Sequence, residues 1–114
     1  IDSILNQTYQ NIELVIVDDN SKDNTYELIQ EIGDERIKLY HNDKNLGMSG
    51  NWNRCLSLCT GKYAKLVCAD DILSPDALKR EVDALEANPT AVIVESYTKL
   101  IDLNGKGKGF YKRY

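Results

Sequence analysis

At 114 residues the chain has the length of one domain, large enough for a core and small for a whole α/β enzyme. Hydrophobic residues make up 42% and charged residues 28%, ordinary globular values, and no apolar run nears bilayer-spanning length. The formal charge of −4 argues against nucleic acid as a partner.

In chain order, Ile1, Ile4 and Leu5 have helical spacing over 1–8, without a preceding cap residue, and suggest a helix cut upstream. Residues 12–17 form an apolar run, read as a buried strand, that ends in Asp18-Asp19-Asn20-Ser21. Ser21 or Asp23 can cap a helix over 24–32, with Leu28, Ile29 and Ile32 inward and Gly33 as its stop. Residues 36–41 alternate polar and apolar, which suits a strand near the sheet edge, and 42–47 form a turn. Met48, Trp52, Cys55, Leu56 and Cys59 then lie along one face of a helix closed by Gly61, so Met48 and Trp52 are expected in the core.

Residues 63–69 are a second apolar run, expected to be the central strand, and it ends in Asp70-Asp71. Ser74-Pro75 supplies a cap and a first-turn proline for a helix with Leu78, Val82 and Leu85 on one face, ended by Asn88-Pro89. A last strand is predicted over 91–97. Strands alternating with helices predict a doubly wound, Rossmann-like α/β domain with a mainly parallel sheet. Residues 104–114 read as a Gly/Lys-rich tail or severed linker. The charge is uneven: 1–97 hold 9 basic and 17 acidic side chains, whereas 98–114 hold 5 and 1.

In open α/β sheets ligands bind outside the carboxyl ends of the strands, where both aspartate pairs fall. Two adjacent carboxylates there suit a hard divalent cation carrying a phosphorylated ligand. A solvated Asp-Asp pair opening a turn is the plain alternative. Cys55, Cys59 and Cys68 cannot all pair within the chain, and zinc would need a fourth clustered ligand that His41 is not placed to give. They are expected to be reduced core thiols of a cytosolic protein.

Ser3-Ile4-Leu5-Asn6-Gln7-Thr8-Tyr9, Val17 to Ser21, Asn45-Leu46-Gly47 ahead of Asn51 and Asn53, Gly61-Lys62-Tyr63, and Ala69-Asp70-Asp71 before Pro75 form an ordered set. That set resembles the family 2 glycosyltransferases, inverting sugar-transfer enzymes of GT-A fold, over nearly all of 1–103. The resemblance implies an incomplete GT-A domain in which 1–103 are the nucleotide-sugar-binding part. By that similarity Asp19 would hydrogen-bond the nucleotide base, a uracil, and Asp70 would lie near the ribose. Asp71 would bind the Mn²⁺ or Mg²⁺ that bridges the diphosphate, and Asn51 could reach the nucleotide or be a surface amide. Cys68 stands where many members carry an aspartate, so the metal site rests on the adjacent pair.

The first strand expected before Ile1 and the acceptor half with its catalytic base, expected beyond Tyr114, are absent from the sequence. The implied partners are a nucleotide-sugar donor and a carbohydrate or lipid-linked acceptor, with self-association expected of this piece alone. The implied location is the cytoplasm, or the cytoplasmic face of a membrane for the full-length protein. Two other readings stand beside this one: a non-catalytic nucleotide-binding module of the same fold, and an unrelated Mg-binding doubly wound domain such as a phosphotransfer receiver, with Lys99 as its candidate lysine.

Overall fold

The computed structural model describes residues 1–111. Its elements run α1 (Asp2–Leu5), β1 (Leu14–Asp18), α2 (Thr25–Gln30), β2 (Ile37–His41), α3 (Gly47–Leu58), α4 (Ala77–Ala87), β3 (Thr98–Ile101) and β4 (Gly107–Tyr111). The β-branched and aliphatic run Leu14-Val15-Ile16-Val17 favours a pleated, half-buried surface and forms β1. It pairs in parallel with β2, with Leu14 opposite Ile37 and Asp18 opposite His41. Helix α2 makes the crossover between these strands, and α3 packs on β1. This is a parallel α/β unit, as the alternation of elements predicts.

The carboxyl ends of β1 and β2 are carried further by the amide of Asn42, which donates to the Asp18 carbonyl at 2.9 Å. At the opposite end, Glu13 ties three elements together. Its carboxylate accepts from the Gly61 amide at 3.0 Å and the Thr60 hydroxyl at 3.0 Å beyond α3, and from Lys38 on β2 at 2.5 Å. The Lys38 ammonium and the amides beyond α3 hold the Glu13 carboxyl down at about 2, well below the usual carboxylate range.

Helix α1 is shorter than the predicted 1–8 and is anchored by Gln7, whose side chain is 1% exposed. Its amide nitrogen donates to the Ser3 carbonyl at 2.8 Å and the Ser74 carbonyl at 2.6 Å, and its oxygen accepts from the Leu78 amide at 3.0 Å. The amide of Thr8 also donates to the Pro75 carbonyl at 2.9 Å, so α1 clamps the approach to α4. Neither predicted cap holds in its simple form. Asp76 takes the cap position of α4 without a side-chain bond, and Asn24 that of α2, although Asp23 accepts the Thr25 amide at 3.1 Å.

Three expectations are corrected. Among the described residues, 63–69 pair with no other strand and are largely exposed, Leu66 at 39%; an apolar run marks a segment that can be buried but does not supply the neighbouring strand its backbone needs. The strand predicted over 91–97 does not form among the described residues, with Val92 96% exposed. The expected linker is instead half of an antiparallel hairpin, β3 against β4 with Thr98 opposite Tyr111. Its turn is closed by Asp102, whose carboxylate accepts the amides of Asn104 at 3.0 Å and Lys106 at 2.9 Å, while Gly105 adopts φ of 75°. Residues 112–114 of the predicted tail lie outside the described residues.

The inward faces predicted for α2 and α3 are also only partly covered. Leu28 is 54% exposed and Met48 68%, because among the described residues the parallel sheet has just two strands to lie over. Among the described residues, Val17 and Ala77 are the apolar side chains that are buried. Cys55, Cys59 and Cys68 are free and half-buried.

Candidate functional site

Two groups of polar side chains gather where the sequence places its aspartate pairs. The first lies at the carboxyl end of β1. Asp18, the last residue of the strand, is turned inside, and its side chain is 3% exposed. Burial pushes its carboxyl up, but the Ser21 hydroxyl and amide and the His41 ring outweigh this and hold it below its usual range. The His41 Nδ1 lies 2.8 Å from Asp18 Oδ2 and the Ser21 amide 3.2 Å from it. Tyr26 meets the His41 ring edge-on, with centroids 5.5 Å apart. Ser21, Asp23, Tyr26, Glu27 and His41 line an open recess beside this cluster.

Asp19 points elsewhere. Its Oδ1 accepts the Leu46 amide at 2.8 Å and the Asn42 side-chain amide at 2.6 Å. The Leu46 amide, with Asn42 and the Gly47 amide, lowers the Asp19 pKa. These amides lie at the start of α3, where the helix dipole also favours a negative charge. Asn42 donates to Asn51 Oδ1 at 2.9 Å, and Asn51 in turn to the Val17 carbonyl at 3.0 Å. Asp19 and Asn51 are therefore brought together, with Asn42 between them. Asn20, at φ of 63°, and Asn45 fold the 42–46 loop over the strand end through bonds to the Asn42, Asp43 and Asp19 carbonyls. Asn53 is an exposed residue of α3.

The second group is built by a turn. The Asp71 amide donates to the Cys68 carbonyl at 3.1 Å, which folds 68–71 back on itself. The possible ligand atoms of Cys68, Asp70 and Asp71 consequently all lie within 4.8 Å of one another. Asp70 and Asp71 are exposed and Cys68 is half-buried. Hard carboxylate oxygens suit Mg²⁺ or Mn²⁺, which need only one or two such ligands beside water and phosphate. The soft Cys68 thiol does not suit such a cation. The loop is moored by α1, because the Leu73 amide donates to the Ser3 hydroxyl at 3.2 Å and Gln7 grips Ser74. Among the described residues no hydrogen bond joins this group to Asp19 and Asn51.

The sequence reading missed Asn42, and it quoted Gln7 within the run Ser3 to Tyr9 without its anchoring role. Each acts as a single amide whose importance comes from neighbours distant in the chain. His41 was noticed only as an unsuitable zinc ligand. Its pairing with Asp18 had one legible signal, the placement of both residues at the ends of expected strands.

A two-stranded parallel α/β unit with a carboxylate at the end of β1 places the chain among the doubly wound α/β domains, whose ligands bind beyond the carboxyl ends of the strands. The family follows from comparison: a family model described as "Glycosyl transferase family 2" matches residues 1–110, and the chain belongs to that family. A protein of Haemophilus influenzae described as an uncharacterized glycosyltransferase is 39% identical over 103 residues, covering 89% of this chain and 32% of that protein. The Escherichia coli UDP-Glc:alpha-D-GlcNAc-diphosphoundecaprenol beta-1,3-glucosyltransferase WfgD is 34% identical over 97 residues, covering 85% of this chain and 38% of that protein. The succinoglycan biosynthesis protein ExoO of Rhizobium meliloti is 31% identical over 106 residues, covering 93% and 30%. The chain spans about a third of the length of these curated relatives. Among the described residues no helix is long and apolar enough to cross a membrane.

Proposed function

We propose that the protein containing this chain transfers a sugar from a uridine-diphosphate donor to a carbohydrate or lipid-linked acceptor, and that this chain forms the donor site. The observation that carries the reading is the 68–71 turn, which presents two exposed carboxylates together in a chain of the glycosyl transferase family 2. The Escherichia coli relative, named for its UDP-linked glucose and its diphosphoundecaprenol acceptor, supports both substrate classes.

In this reading Asp71 holds Mg²⁺ or Mn²⁺, with Asp70 beside the ribose. When bound, the cation offsets charge developing on the departing diphosphate. Asp19 reads the base: its Oδ1 is taken by Leu46 and Asn42, and Oδ2 is the oxygen with capacity to accept from a ring N–H. Hydrogen bonds that hold Asp19 ionised keep it an acceptor at neutral pH. A purely structural part for Asp19 is the second reading, favoured by its bond to the Leu46 amide at the start of α3.

Calorimetric titration of the intact protein with uridine, cytidine and guanosine diphosphates, each with Mn²⁺ or with chelator, tests the proposal. Preferential uridine binding that depends on Mn²⁺ is expected. Equal affinity for all three, or indifference to chelation, would overturn it.

A further inference from the structure

Asn42 follows β2 directly and its side chain is fully buried, at 0% exposure. Its two amide hydrogens go to Asp19 Oδ1 at 2.6 Å and Asn51 Oδ1 at 2.9 Å. The orientation is fixed by the neighbours. Asp19 offers only acceptors when ionised, and Asn51 presents its oxygen because its own nitrogen donates to the Val17 carbonyl at 3.0 Å. Asn42 Oδ1 is left buried with no partner among the described residues.

A buried acceptor without a donor is a cost that folded proteins seldom carry without a reason. An apolar side chain would fill this place without leaving an oxygen bare. The backbone path does not require the amide either. The Asn42 N–H donates to Asp18, and Asn20 bonds the Asn42 and Asp43 carbonyls. What the side chain alone supplies is its pair of donors, and both end on residues of the donor site.

We propose that Asn42 is a positioning residue: it holds the Asp19 carboxylate in register with Asn51, through Oδ1, so that Oδ2 is kept for the base of the donor nucleotide. The inference rests on the reading that Asp19 recognises that base. It assigns Asn42 no contact with the nucleotide, so its effect must pass through Asp19.

The test is a double-mutant cycle in the intact protein, with Asn42→Ala, Asp19→Ala and the pair, titrated with uridine diphosphate and with pyrophosphate, each in Mn²⁺. Asn42→Ala is expected to weaken uridine diphosphate about tenfold, the scale of one charge-assisted hydrogen bond, and to leave pyrophosphate unchanged. In the Asp19→Ala background the same change is expected to cost nothing further. Losses that add in the double mutant, or an equal loss for pyrophosphate, would overturn the proposal. If Asp19→Ala weakens uridine diphosphate while Asn42→Ala does not, the positioning role fails and base reading by Asp19 stands. If Asp19→Ala has no effect, base reading itself fails and the positioning role with it. Should Asn42→Ala not fold, Asn42→Ser keeps one donor and decides the matter: an intermediate affinity for uridine diphosphate supports the role, and wild-type affinity overturns it.

Discussion

The carboxylate of Glu13 accepts the backbone amide of Gly61 at 3.0 Å across 48 residues of sequence, joining the entry of β1 to the exit of α3. With Lys38 as its strongest partner, Glu13 titrates at about 2 in the fold against 4.5 as its ordinary value. The sign follows from linkage. Between these values the unfolded chain binds the proton and the folded chain does not, so falling pH favours unfolding. Stability from Glu13 is complete above pH 4.5 and is lost as pH falls through about 2. Urea unfolding from pH 6 to pH 2 is expected to show a weaker pH dependence for Glu13→Gln than for wild type. Salt should narrow the difference, because the carboxylate is partly exposed. Parallel curves would remove Glu13 as a source of acid sensitivity.

Gln7 joins α1 to the segment that leads from Asp71 into α4. Replacing it by leucine leaves the Ser74 carbonyl and the Leu78 amide without their partner at a site that is 1% exposed. A destabilisation of about 1–3 kcal/mol is expected, the usual scale for buried groups left unsatisfied. Chemical denaturation measures it. A change within error would show that the two groups find water instead.

Much of this architecture could be read from residue order, and what escaped has physical causes. The run Leu14 to Val17 announces a strand because branched side chains favour the pleat, and it finds β2 as a partner. Tyr63 to Cys68 carries an equally apolar signal, yet a strand exists only when another strand accepts its hydrogen bonds. The hairpin was hidden by composition: glycine and lysine over 104–109 suggest a linker, whereas Asp102 fixes the turn that returns the chain alongside β3. The pairs Asp18-Asp19 and Asp70-Asp71 were visible as charge at the end of apolar runs. The supporting role of the amides Asn42 and Gln7 was not, since nothing local distinguishes a buried amide from a surface one.

Within the acidic turn, Asp71 and Cys68 are expected to behave oppositely. Asp71→Ala removes a hard oxygen and should abolish the gain in uridine diphosphate affinity that Mn²⁺ provides, whereas Cys68→Ser should leave that gain intact. Titration of both variants with and without Mn²⁺ makes the comparison. A Mn²⁺ effect that survives in Asp71→Ala removes Asp71 as the ligand. One lost in Cys68→Ser would mean that the thiol takes part after all.

The polypeptide 1–114 is expected to associate with itself. Strand β1 pairs with β2 along one edge, and among the described residues no strand pairs with its other edge, where α3 side chains bond the Val15 and Val17 carbonyls. Open edges recruit further strands. Residues 91–97 add a β-prone apolar run that forms no strand among the described residues, in which Val92 is 96%, Ile93 79% and Tyr97 92% exposed. Sedimentation velocity over a concentration series should show the mean mass rising with concentration. Val92→Lys with Ile93→Lys should shift the population toward monomer without lowering thermal stability, because neither side chain is buried in the monomer and added charge opposes strand pairing. Association that persists unchanged in the double lysine variant would move the contact away from 91–97 and toward the edge of β1. A wild-type polypeptide that stays monomeric at every concentration would show that both the open edge and the apolar run are shielded in solution.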